Sequence, residues 1–135
     1  MTVPASVTDD EATVTHFLTD YYRDFSRLDI QAILSNFSEP CLVMGPHGVF
    51  AAPAGSALTS VFTPLIESLR GRGYGRSELS IRQLKSLSQA TALVTGVAVR
   101  FKADGQELER VGVTYLLQKA HAHWKIAVLV THDTE

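Results

Sequence analysis

Apolar side chains recur along the opening third of the chain at the spacing of a helix that buries one face. Val14, Phe17, Leu18, Tyr21, Phe25 and Leu28 share one stripe. Ahead of them Thr8-Asp9-Asp10-Glu11 has the form of a capping box, the Thr8 side chain serving free amides and Glu11 returning the bond. The pattern predicts one long amphipathic helix from Thr8, preceded by a flexible N-terminus over residues 1–7. Asp29 is placed to cap a second, shorter helix carrying Ile30, Ile33, Leu34 and Phe37 on one side and ending before Pro40. Cys41 to Phe50 reads as strand broken by Gly45-Pro46-His47-Gly48, a hairpin turn. Helical spacing returns with Leu58, Val61, Phe62, Leu65, Ile66 and Leu69, and Pro64 is expected to kink that helix or to restart it behind Thr63. Gly71-Arg72-Gly73-Tyr74-Gly75 ends it. These glycines neither follow a strand nor open a helix, which excludes a phosphate cradle.

From Ser77 the period changes to that of strands: Ser77 to Leu87, Thr91 to Lys102, Glu107 to Lys119 and Trp124 to Thr131, with Ala103-Asp104-Gly105 the clearest hairpin turn. The second and fourth are apolar on both faces, as an antiparallel sheet is when both sides are covered. The helices cover one side. Too few helices remain for the other, so a second copy of the chain is expected there, a homodimer through the β-sheet. Within the second strand Val97, Val99 and Phe101 are taken as the inner set. Arg100 interrupts this strand and Arg110 opens the next, and one of them could bind a ligand carboxylate if it faced the cavity; the alternation instead puts Arg100 outside, at the interface, pairing with Glu107 or Glu109.

Composition narrows the classes without choosing among them. At 135 residues there is room for one core, and any site must share it. A formal net charge of -2 gives no footprint for nucleic acid or an anionic membrane. The longest apolar runs are too short to span a bilayer, and Met1-Thr2-Val3-Pro4-Ala5 lacks the basic and apolar regions of an export signal, so a cytoplasmic protein is expected. A single cysteine, Cys41, excludes an internal disulfide and reads as a small buried hydrophobe.

The run Tyr21-Tyr22-Arg23-Asp24-Phe25-Ser26-Arg27-Leu28-Asp29-Ile30-Gln31-Ala32-Ile33-Leu34-Ser35-Asn36-Phe37, an aromatic helix, a small-x-Asp break and a short helix ending in Phe, resembles the opening pattern of the nuclear transport factor 2-like (SnoaL-like) superfamily. Trp124-Lys125-Ile126 and Thr131-His132-Asp133 resemble its closing strand. The resemblance spans residues 10–133 and implies an α+β domain over 8–133, with three N-terminal helices packed on a strongly curved antiparallel β-sheet that forms a cone with one pocket. The superfamily includes ketosteroid isomerase, dehydratases, polyketide cyclases and non-enzymatic modules, so membership does not decide function. In ketosteroid isomerase a Tyr and a protonated Asp form an oxyanion hole and a second Asp moves the proton. The tyrosine corresponds to Tyr21, the base position falls on Gly45 before Pro46, and the protonated Asp on or near Thr114. Neither carboxylate is retained, so the isomerase mechanism cannot operate as such and enzymatic activity stays undecided.

The resemblance directs the phase of Trp124, Ile126, Val128, Val130 and His132 into the pocket. There His132 would act as base and Tyr21 as hydrogen-bond donor, Tyr22 replacing Tyr21 if the register differs by one residue. His47, in the hairpin turn, could serve from a place near the missing base. The remaining lining is expected to be Phe25, Met44, Phe62, Ile66, Val97, Val99, Thr114, Leu116 and Val128. His121-Ala122-His123 offers two imidazoles but no third ligand, and no metal or other cofactor is expected. Two functions follow. One is a pocket for a small, mainly apolar organic ligand, with acid/base isomerisation, dehydration or cyclisation as its chemistry. The other is a non-catalytic dimeric module for assembly or partner binding, its cavity filled by its own side chains.

Overall fold

The computed structural model of the protein describes residues 4–134, with side chains from Glu11 onward. Helix α1 (Pro4–Ser26) begins ahead of the expected cap, so Thr8 lies within the helix and its side chain outside the described residues. Of the apolar stripe along α1, Val14, Leu18, Tyr21, Phe25 and Leu28 are buried and Phe17 is half-buried; Tyr22, outside the stripe, is buried as well. The helix closes at Leu28, whose φ of 53° lies in the left-handed region that a glycine would enter more readily. Asp29 then caps α2 (Ile30–Leu34), its Oδ1 accepting from the Ala32 amide at 3.3 Å. Phe37 does not extend α2 but opens β1 (Phe37–Gly45), which turns at Pro46-His47 into β2 (Gly48–Ala52). After a short 3-10 turn, Gly55–Leu58, helix α3 (Thr59–Gly71) runs without a break through Pro64. Pro64 is the sixth residue of the helix, and the expected restart at Thr63 does not occur.

The remaining strands are β3 (Tyr74–Ser88), β4 (Thr91–Lys102), β5 (Glu107–Ala120) and β6 (His123–His132). They join β1 and β2 in one six-stranded sheet of order β2-β1-β6-β5-β4-β3. The expected sheet was antiparallel throughout. One pair differs: β1 and β6 run parallel, because the whole rest of the chain lies between them and no tight turn dictates their direction.

Bulges curve the sheet. Along β4, the longer β3 carries extra residues at Gly75, Arg82 and Leu87, where the pairing register slips. The slip at Arg82 sits beside Gly96, where a Cβ would be driven into the Ser80 carbonyl oxygen. A further slip inserts Ala127 in β6 opposite the Leu116–Leu117 step of β5. The helices fill the inner side of the resulting cone, where Leu18, Ile33, Leu58, Leu69, Val94, Leu117 and Ile126 are fully buried.

Candidate functional site

The Ala127 bulge decides which side chains reach the interior. Trp124 and Ile126 point into the core, Trp124 donating from Nε1 to Thr13 Oγ1 at 3.1 Å. Past one inserted residue the phase inverts, because the side-chain period of a strand is two. Leu129 and Thr131 therefore face inward, and Val128, Val130 and His132 face out. Pairing carries the same parity across the sheet: Leu129 lies opposite Tyr115, which lies opposite Val94, and Val113 lies opposite Gly96. Ala98 and Arg100 continue that inner row.

A cavity of about 410 Å³ opens between this row and the helices. It is lined by Tyr21, Tyr22 and Phe25 of α1, Val61, Phe62 and Leu65 of α3, and inner residues of the sheet. Most of the wall is apolar. The polar lining groups are the three tyrosines Tyr21, Tyr22 and Tyr115, with Ser77, Arg100, Thr131 and, exposed at the mouth, His47. No carboxylate lines it.

Of the residues expected to line a pocket, Tyr21, Tyr22, Phe25, Phe62 and His47 border this cavity. The others do not. Met44, Val97, Val99, Thr114, Leu116, Val128 and His132 belong to the opposite, outer face of the sheet, since their strand neighbours Val43, Ala98, Val113, Tyr115, Leu129 and Thr131 are the ones lining the cavity. Ile66 is packed in the core beneath the lining. His132 bonds through Nε2 to Thr114 Oγ1 at 2.8 Å and through Nδ1 to the Asp133 carbonyl at 2.7 Å, while Thr114 meets Thr95 at 3.3 Å. Its ring covers Gly112, where any Cβ would strike it. Proton exchange between His132 and Tyr21 therefore has no common volume in which to occur.

Arg100, assigned to the interface by the sequence, faces the other way. Its side chain is 14% exposed, pairs with Glu109, and stands with its guanidinium carbon 5.6 Å from the centre of the Phe25 ring. Glu109 also accepts from Arg72 Nη1 at 2.8 Å. Burial opposes ionisation of Glu109, yet the hydrogen bonds from Arg72 and Arg100 hold its carboxyl below the usual range. Glu107 pairs instead with Arg110 at the surface.

The tyrosines set the chemistry of the interior. Tyr22 and Tyr115 share a hydrogen bond of 2.7 Å between hydroxyls. Tyr21 stands edge-on to Tyr22, Phe25, Phe37 and Tyr115, with ring centres 5.5–6.4 Å apart. Its hydroxyl has no protein hydrogen-bond partner among the described residues, and no buried polar side-chain atom there is left unsatisfied and sealed, so this hydroxyl opens on the cavity. Burial pushes the Tyr21 phenol far up, with Tyr22 adding to the effect and Arg100 opposing it. Burial also takes Tyr22 up to about 12 against the pull of its bond to Tyr115, and pushes Tyr115 well up. At neutral pH all three are hydrogen-bond donors and none is a base. Cys41 is buried, and burial followed by the Glu39 charge raises its thiol, which makes it a poor nucleophile. No group of three His, Cys, Asp or Glu able to hold a metal is present among the described residues. None of the described helices is long and apolar enough to cross a membrane.

The sequence reading missed one lining residue, Tyr115, and turned another, Arg100, to the wrong face. Tyr115 was hidden in an apolar run whose face was assigned in the wrong phase. Arg100 was visible as a charge interrupting an apolar strand, and only its direction was misjudged.

A cone of three helices on a six-stranded, mostly antiparallel sheet, hollow at one end, defines the class of NTF2-like, cystatin-like folds. The chain belongs to the NTF2-like protein (DUF6841) family, whose model matches residues 9–134. Among solved structures it is similar to a protein of unknown function with a cystatin-like fold from Nostoc punctiforme, with TM-score 0.75 and 12% identity over 90% of this chain and 88% of that one. An NTF-2 like protein of unknown function from Shewanella oneidensis aligns with TM-score 0.73 and 19% identity, covering 93% of this chain and 98% of its own. A ketosteroid isomerase-like protein from Erwinia carotovora atroseptica aligns with TM-score 0.65 and 22% identity, covering 89% and 92% respectively. At these identities the likeness establishes the fold alone. No curated protein matches the sequence.

Proposed function

We propose that the protein binds a small, mainly apolar organic molecule in the cavity beneath α1, with Tyr21 as its principal hydrogen-bond donor. The observation that carries this reading is the Tyr21 hydroxyl, buried in an aromatic cluster, without a protein partner, and open to about 410 Å³ of unfilled space. A module whose cavity is closed by its own side chains would have no use for that arrangement. Isomerase-like acid/base catalysis has weaker support. The one titratable base on the wall is His47, at the mouth, and no carboxylate stands near Tyr21 to move a proton.

The outer face of the sheet supports a homodimer as the working unit. Leu42, Val99, Leu116, Val128 and Val130 form a half-buried to exposed apolar carpet that none of the described helix side chains covers. A second copy laid on this face would bury it, and the lone buried thiol suits a reducing, cytoplasmic setting. Native mass spectrometry of freshly purified protein tests both parts. The expected spectrum is a dimer carrying a removable small molecule, or one that takes up added apolar ligands at one per chain. A monomer would remove the interface, and a chain that takes up nothing across a varied apolar panel would remove the binding function.

A further inference from the structure

The cavity is apolar, yet one wall holds a cation that it does not balance. Arg100 lies on the inner row of β4. Its Nη1 is engaged by Glu109, and its other guanidinium nitrogens have no partner among the described residues. Glu109 in turn serves Arg72 as well, so two guanidinium groups share one carboxylate and the cluster carries an excess positive charge. Every other polar group on the wall is a neutral hydroxyl or the imidazole of His47, and none is an acid. A cation in an apolar enclosure is unfavourable without an anion, and the protein provides only half of one.

We infer that the ligand is an apolar organic acid whose carboxylate is held by Arg100 and the Tyr21 hydroxyl, its hydrocarbon body lying against Phe25, Phe62, Val61 and Leu65. This rests on the cavity being a binding site and adds the chemical class of the occupant. Arginine suits the role because its planar fork can keep one edge on Glu109 while offering the other to a second carboxylate. Glu109 fixes the guanidinium in place beforehand, and Arg72 prevents Glu109 from satisfying it completely. The Tyr21 phenol adds a donor that is protonated at neutral pH and so does not repel the incoming charge.

The test compares matched pairs that differ only in charge, naphthylacetate against naphthylacetamide and phenylbutyrate against phenylbutyramide, by calorimetric titration of the wild-type protein and of Arg100→Gln and Tyr21→Phe. Each acid is expected to bind about tenfold or more tightly than its amide, the scale of a charge-assisted hydrogen bond. In Arg100→Gln the acid loses more affinity than its amide, and the preference disappears. In Tyr21→Phe both members weaken. Equal affinity of acid and amide in the wild type overturns the anionic ligand and leaves the apolar pocket standing. Failure of every probe to bind overturns both. The wild-type comparison stands even where a variant fails to fold.

Discussion

Tyr22 and Tyr115 meet at the centre of the molecule, from α1 and β5, through a single hydroxyl-to-hydroxyl bond. Both rings are buried, so replacing either by Phe keeps the packing and strands one hydroxyl at the cavity edge. Each single change, Tyr22→Phe or Tyr115→Phe, is expected to cost about 1 kcal/mol, the net worth of a typical hydrogen bond. The double change should cost clearly less than the sum, because the second removes a group already unpartnered. Urea unfolding of the four proteins measures this, and strict additivity would mean that the hydroxyls do not depend on each other. At this scale the sequence was readable only in part. The aromatic stripe of α1 announced Tyr21 because helical periodicity fixes which residues share a face, whereas Tyr22, one residue on, stood only as its replacement in a shifted register. Nothing in Val113-Thr114-Tyr115-Leu116-Leu117, apolar on both sides, says which side holds the cavity.

Among elements, β4, β5 and β6 were located to within a residue from alternation and turns, while β1 and β3 begin at Phe37 and Tyr74, ahead of the expected Cys41 and Ser77, and the faces of the strands were not legible. Faces depend on bulges, and one inserted residue at Ala127 leaves the apolar count of β6 unchanged while exchanging the destinations of Val128 and Leu129. An alternation count starting from Trp124 is correct up to Ile126 and inverted beyond it. The joint between β5 and β6 makes a testable point of the same kind. Ala120 pairs with His123, leaving the two-residue turn His121-Ala122 with φ of 54° and 67°. Two consecutive positive φ values are what the tight hairpin turns of twisted sheets require, and Asn-Gly accommodates them far better than His-Ala. Replacing His121-Ala122 by Asn-Gly should therefore stabilise the protein, by about 1 kcal/mol or somewhat more, with an upward shift of the thermal midpoint. An unchanged or lowered midpoint would mean that the turn is not strained as its backbone indicates. The change also removes His121 without altering the cavity wall, so ligand binding should be unaffected.

For the whole molecule, the buried tyrosines tie folding to alkaline pH. Tyrosine titrates near 10 when solvated, and in the folded protein Tyr21, Tyr22 and Tyr115 are all raised above that, chiefly because burial disfavours the phenolate. A raised folded-state value means that the unfolded chain loses its proton first. The stabilising contribution is complete below the unfolded value and is eroded as the pH climbs from there toward the folded ones. Tyr22, pushed up to about 12, forfeits on the order of 3 kcal/mol across that interval by itself. Against the net stability of an ordinary domain, roughly 5–15 kcal/mol, three such groups acting together remove a large part of it. The chain has four tyrosines, so absorbance at the phenolate band should show three of them silent while the fold persists, then ionising together as near-ultraviolet circular dichroism collapses. Tyr21→Phe should move that collapse to higher pH, since the lost group no longer drives the unfolded chain to ionise. A gradual titration of all the tyrosines with the dichroism intact would show that water already reaches these hydroxyls freely, and with it the enclosed cavity on which ligand binding depends would be lost.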